Sequence, residues 1–426
     1  MKEVSAKKLS MKKSNLKNSA EKVVKDENRY ELVEFVVRHF RIPNWKEYNG
    51  TKYSPQELIG FLNDFIELVR NDRTLCHISP PVTIVGGLNG HFQDLIRIFN
   101  IKNEKTKKED DWKQVFATEK FVFLGDYTGD DQSYNLETVC LLFGLKMIYT
   151  NRYILLRGFE ETRMTSDFQN QILTKFPGPI GEEIRQKFKT AFSMLPSAAV
   201  VGDKILCVPS GISPIINKSV EEWRKIPKSE KFENLSPVVR DLIFARPCEA
   251  HEQGADSNQP AYVCYNNTMT RHFNEAAVKD FCAATKIELI VRSHAVLITG
   301  FRFFGDKKLV TISSCSAHKN HNHKAAFLRV SKEGVVSIIQ MRPTEKKEEE
   351  KKPKKKSGET GKKESAEKVK KSQETPKKGS KDTPKKDSKE ESKTNTEDGT
   401  TKKKRATSKP KSKEFESLYD NLSEKK

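Results

Sequence analysis

Between residues 31 and 343, short apolar runs alternate with segments of helical period, a pattern that predicts an α/β domain. Residues 82–85, 121–124, 153–156, 205–208 and 288–291 read as strands, short and rich in β-branched or aromatic residues. Each stops at a loop of glycine, proline or polar residues. The helices are marked by their starts. Ser54-Pro55-Gln56-Glu57 is a capping box with proline at the first helical position, and Leu58, Leu62, Phe65 and Val69 then share one face. Residues 136–149 read as a second, more apolar helix, and Ser219 to Glu222 as a further capping box. In α/β sheets, sites form in loops leaving the carboxyl ends of strands. The loops 86–91, 125–131, 157–161, 209–211 and 292–294 are therefore expected to build one site.

The pattern stops at both ends of the chain. Residues 1–30 carry nine basic and four acidic residues, and residues 344–426 carry 28 basic and 18 acidic. Most of the net charge of +20 thus lies outside residues 31–343. The tail has no aromatic residue before Phe415, so both segments are expected to be disordered and lysine-rich. Lys402-Lys403-Lys404-Arg405 with Lys409-Pro410-Lys411 reads as a nuclear-localisation cluster. Thr-Pro-Lys-Lys occurs at Thr375 and again at Thr383, a sequence compatible with nucleic-acid binding or phosphorylation, although the interleaved acidic residues weaken the former. Phe415, Leu418, Tyr419 and Leu422 fall on one helical face that could fold on a partner.

No apolar run approaches the ~20 residues of a membrane span, and no secretory signal is evident. The seven cysteines are scattered and form no CxxC pair, which fits buried thiols in a reducing compartment. The expected location is intracellular, in nucleus and/or cytoplasm.

Taken in order, the five loops resemble the metal-binding motifs of the serine/threonine protein phosphatases related to type 1, G-D-x-H-G, G-D-x-V-D-R-G, L-R-G-N-H-E, H-G-G and R-A-H. The stretches Phe121-Val122-Phe123-Leu124-Gly125-Asp126, Ile154-Leu155-Leu156-Arg157-Gly158 and Leu195-Pro196-Ser197-Ala198-Ala199 carry the resemblance between motifs. It implies a metallophosphoesterase (calcineurin-like) fold over residues 31–343, with a central β-sandwich flanked by helices. It also implies two divalent metals (Mn or Fe/Zn) that activate a bridging water.

Residue by residue, the motifs depart from the family. Asp126 and His294 keep two metal-ligand positions. Gly87, Asn89, Phe159 and Pro209 stand where the family places an Asp, a His, an Asn and a His. Glu160 replaces the His that protonates the leaving group, Gly129 the Asp that orients it, and Asp130 and Gln259 two phosphate-binding arginines. Losing a group that merely supports a ligand costs ~10–100-fold in metal affinity or activity. Four lost ligands imply at least ~10⁴-fold.

The expectation is therefore a pseudophosphatase, not an enzyme, with no cofactor, acting as a scaffold or decoy for phosphatase partners or phosphoproteins. One alternative is an active or weakly active metal-dependent phosphatase, its site rebuilt from Glu160, His294 and the loop His318-Lys319-Asn320-His321-Asn322-His323, in which His321 and His323 could chelate zinc. Another is a nuclear nucleic-acid adaptor acting through the tail. Type 1 phosphatases also carry an apolar groove for R-V-x-F peptides. Its counterparts here are Ile205, Leu289 and Phe303, with Glu288 beside them and Ile338 nearby.

Overall fold

The structure, a computed structural model, describes residues 31–343 except 43, 101–118, 131, 216–218 and 265–269. Both terminal segments, the basic cluster at 402–411, the repeated Thr-Pro-Lys-Lys and the apolar face at 415–422 lie outside the described residues, as does Asp131.

Two sheets form the centre. The first contains β1 (Leu75–Ile78), β5 (Ala198–Val201), β6 (Ile205–Cys207), β10 (Leu289–Arg292), β12 (Leu309–Ile312) and β11 (Phe301–Phe304), in that order. The second is ordered β14 (Val336–Met341), β13 (Ala325–Val330), β2 (Val82–Val85), β3 (Phe121–Phe123) and β4 (Tyr153–Leu155). Strands β2, β3 and β4 run parallel, as do β6, β10 and β12. A small third sheet joins β7 (Arg246–Pro247), β9 (Arg271–Phe273) and β8 (Tyr262–Cys264).

The central strands β2, β3, β4, β5, β6 and β12 are short and apolar because both of their faces are buried. Ile84, Val122, Leu124 and Leu156 of the second sheet pack against Cys207, Val291, Val310 and Ile312 of the first. On the far side of the second sheet, Val85, Phe121, Phe123 and Tyr153 meet the helices α1 (Leu32–Val37), α2 (Pro55–Arg70), α3 (Phe92–Asn100) and α4 (Asn135–Ile148). Helix α4 is buried along nearly its whole length, and its Phe143 stacks on Phe65 of α2 with ring centroids 3.6 Å apart. The short α5 (Phe159–Arg163) follows β4, and α6 (Ser166–Lys175) and α7 (Pro179–Ser193) complete that layer. The outer face of the first sheet is covered by α8 (Pro237–Phe244) and α9 (Glu275–Thr285). The result is a β-sandwich flanked by helices, the α/β architecture expected.

The capping box at Ser54 forms as predicted, Ser54 Oγ accepting from Glu57 N and Glu57 from Ser54 N. The one at Ser219 does not. Ser219 Oγ accepts from Glu221 N and opens a 3₁₀ turn, Val220–Lys225, in place of an α-helix. Predicted strand ends differ by one residue: β10 begins at Leu289 and ends at Arg292. All seven cysteines are unbridged. Five are buried, as expected of most of them, while Cys76 is half-buried and Cys264 exposed. Among the described residues no helix is long and apolar enough to cross a membrane.

Candidate functional site

The five predicted loops leave the carboxyl ends of β2, β3, β4, β6 and β10 and do converge. Three contacts close the cluster. Gly87 N donates to Ser293 Oγ at 2.6 Å, Ser293 N donates to Pro209 O at 3.0 Å, and Glu160 N donates to Asp126 Oδ1 at 3.1 Å. Gly87, Asn89, Asp126, Gly129, Phe159, Glu160, Pro209 and His294 thus belong to one connected cluster. Asp130 lies at its exposed rim. Gln259 is held elsewhere: it sits on an exposed loop, its N–H donating to Ser257 Oγ and its carbonyl accepting from Asn274 Nδ2.

Glu161 organises the cluster. Its buried carboxylate accepts N–H bonds from Asp126, Tyr127 and Gly158, each at 2.8 Å. The two loops it ties together approach so closely that a Cβ on Gly125 would lie 2.6 Å from Gly158, and Gly125 has φ +97°. Only glycine meets both demands. Three site residues, Asn89, Asp126 and His294, hold left-handed backbone conformations, which cost energy for any side chain and gather at functional sites. The glycine at 129 is also enforced locally, because a Cβ there would lie 2.4 Å from the Asn89 carbonyl oxygen.

The Asp126 carboxylate is engaged in an unexpected way. His294 Nδ1 lies 2.9 Å from Asp126 Oδ2, so both carboxylate oxygens of Asp126 are engaged by protein groups. The Phe159 ring lies 4.7 Å from the His294 ring. Burial pushes Asp126 up, but His294 and the N–H groups of Glu160 and Phe159 outweigh it and hold the carboxyl below its usual range. Glu160 goes the other way: burial, then the charges of Asp126, Glu161 and Asp130, push it up to about 9. Burial and Asp126 also raise Glu161, against the pull of its three N–H donors.

The histidine loop contributes differently from the expectation. His321 and His323 face each other with rings 5.5 Å apart, and His294 is taken by Asp126. His318 turns instead towards His91 and Cys315, and ligand atoms of these three residues all lie within 4.8 Å of one another. Among the described residues this is the one such group of three histidine, cysteine or carboxylate donors. Sequence reasoning missed His91 and Cys315, since neither stands at a position that the resemblance marks.

Comparison with known proteins identifies the family. The calcineurin-like phosphoesterase model matches residues 76–296. The chain is 32% identical over 292 residues to the uncharacterized protein F44B9.9 of Caenorhabditis elegans, covering 68% of this chain and 85% of that one. It is 28% identical over 279 residues to the serine/threonine-protein phosphatase PP1-delta of the same organism, covering 64% and 83%. A Saccharomyces cerevisiae protein serine/threonine phosphatase similar to human PP5 superposes with a TM-score of 0.56 at 18% identity, over 69% of this chain and 92% of that one. The chain belongs to the calcineurin-like phosphoesterase family, as a divergent member with serine/threonine phosphatase relatives.

That membership corrects two expectations. The chain was expected not to be an enzyme, yet its family and its named phosphatase relatives are enzymes. It was expected to need no cofactor, yet the family depends on divalent metals and a three-donor cluster is present at His91, Cys315 and His318. The paired-metal arrangement itself does not fit the donors around Asp126. Both of its oxygens are bonded, and Gly87, Phe159 and Pro209 offer no side-chain ligand. No hydrolytic step through a metal-bridging water follows from this geometry.

The raised Glu160 pKa makes a pH prediction. The folded chain keeps a proton there that the unfolded chain loses near pH 4.5, so stability is full below that pH and is lost as pH rises towards 9. The slope from this group reaches about 1.4 kcal/mol per pH unit. In urea titrations between pH 5 and 8, Glu160→Gln should lose less stability with rising pH than wild type. Parallel curves would show that Glu160 ionises normally.

Proposed function

We propose that the chain is a partner-directed member of this phosphatase family, docked by extended peptides along the free edge of β14. The observation that carries this reading is the pairing of an open strand edge with exposed apolar side chains. Among the described residues β14 pairs only with β13. Val336 and Ile338 of β14 pack with Leu289, Ile205 and Phe301 in one cluster. Phe303 lies beside Phe301, rings 6.0 Å apart, and is 41% exposed, and Val335 just before β14 is 62% exposed. Gln340 of β14 also bonds to Thr299 O, which holds this edge against the segment leading into β11.

An added strand would satisfy the unpaired main-chain groups of β14 and place alternate side chains on one face. Two apolar residues separated by one position suit such a surface, as in R-V-x-F. Glu288 supplies an acidic partner for a preceding cation. Its present bond to Lys204, 2.6 Å between largely exposed side chains, contributes little and is readily exchanged.

A second reading, phosphoester hydrolysis at the rearranged site, is favoured by Glu160. A carboxyl kept protonated at neutral pH can act as a general acid, and this one stands where the family places its acid. Phosphopeptide turnover with added Mn or Zn that falls at least about 100-fold in Glu160→Gln would support it. Turnover unaffected by that change would exclude Glu160 from the role.

For docking, an Arg-Val-x-Phe peptide should bind the full chain, and Phe303→Ala should weaken binding about 10–100-fold by fluorescence anisotropy. A peptide that fails to bind, or that binds both proteins equally, contradicts the proposal.

A further inference from the structure

Next to the converged loops lies a second cluster of side chains that the family motifs do not mark. His91 begins the turn into α3, and Cys315 and His318 lie on the segment after β12. The rings of His91 and His318 are 5.8 Å apart, and one ligand atom from each of the three residues falls within 4.8 Å of the other two. His91 Nε2 and His318 Nδ1 are buried and have no hydrogen-bond partner among the described residues. A buried polar atom without a partner costs about 1–3 kcal/mol. Two in one cluster, beside a buried sulfur, call for a ligand that accepts lone pairs.

The surroundings favour a cation. Asn89 Nδ2 donates to Cys315 Sγ at 3.4 Å, and Ser313 Oγ lies 3.4 Å from the same sulfur, so polar groups face the charge a thiolate would carry. Asp94 Oδ2 lies 3.9 Å from His91 Nδ1, on the opposite side of the ring from the unpartnered Nε2. Asp94 is itself fixed by Ser316 N at 2.6 Å, Ser316 Oγ at 3.0 Å and Arg97 at 2.8 Å. At that distance Asp94 is an electrostatic neighbour of His91 rather than a hydrogen-bond partner, and its negative charge favours a cation nearby.

We propose that His91, Cys315 and His318 form a zinc site, with three protein donors and a fourth position open. Two imidazoles and one thiolate suit zinc better than the harder magnesium or calcium. Tetrahedral bonds of ~2.0–2.3 Å place donors ~3.3–3.7 Å apart, so binding draws the side chains together by about 1 Å. The site is separate from the Asp126–His294 pair, and it stands whether or not peptides dock at β14.

The test is metal binding by the untagged full-length chain. After equilibration and desalting, one equivalent of zinc should remain. Cobalt substitution should give a tetrahedral visible spectrum with a thiolate-to-metal charge-transfer band. Cys315→Ser should abolish that band, and His318→Ala should weaken zinc binding at least about 100-fold in chelator competition, beyond the cost of a supporting group. Asp126→Asn should leave the band unchanged. Circular dichroism identifies any variant that has merely unfolded, and His91→Gln then serves as the replacement. Failure of the wild type to retain zinc overturns the site. So does a charge-transfer band that survives Cys315→Ser or disappears in folded Asp126→Asn.

Discussion

The arrangement around the site depends on one buried carboxylate. Glu161 sits in the first turn of α5 and accepts three backbone N–H groups from the loops after β3 and β4. Those loops would otherwise leave polar backbone buried without partners. Their close approach requires glycine at 125 and 158, and it sets the left-handed turn that presents Asp126. Tyr127 adds a bond from its hydroxyl to Leu156 O at 2.6 Å, so the second loop is anchored to the strand below as well. The carboxyl ends of β3 and β4 are thus held by the protein's own bonds.

This explains how the fold persists while the donor set changes. Where the family binds two cations, Asp126 here meets His294, and the Phe159 ring lies against the imidazole. An apolar ring and a carboxylate–imidazole hydrogen bond thus occupy positions where the family places ligands. Beside them, burial and the Asp126 charge favour the neutral, protonated form of Glu160. The donor cluster of His91, Cys315 and His318, for which zinc is proposed, adjoins this position through the Asn89–Cys315 contact. The open edge of β14, proposed for peptide docking, belongs to another part of the sandwich and involves none of these groups.

Much of this was legible in the sequence because central strands buried on both faces read as continuous apolar runs. The five that carry the site were found for that reason. Strand β14 escaped because it is only half-buried and lacks a clean alternation, and β13, though almost wholly buried, opens on two alanines and carries Arg329, which break the apolar run. The converging loops followed from chain direction, and the positions of Gly87, Phe159 and Pro209 followed from the resemblance. The Asp126–His294 bond was not legible, since the family would have kept both residues as ligands. The role of His318 was half visible: a histidine-rich loop suggested a metal, but His91 is distant in sequence and meets Cys315 and His318 only because the segment after β12 is tied to α3 by the Ser316–Asp94 bonds. Gln259 shows the converse, a position assigned by a loose resemblance that the chain folds onto an exposed loop.

The most direct measurement is a double-mutant cycle on Asp126→Asn and His294→Ala, reading unfolding free energy with chelator present. A self-supporting site predicts a coupling of about 1–3 kcal/mol between the two residues, unchanged when metal is returned. Coupling that is absent in chelator and appears only with metal would show that Asp126 and His294 act as ligands, and would contradict the arrangement described.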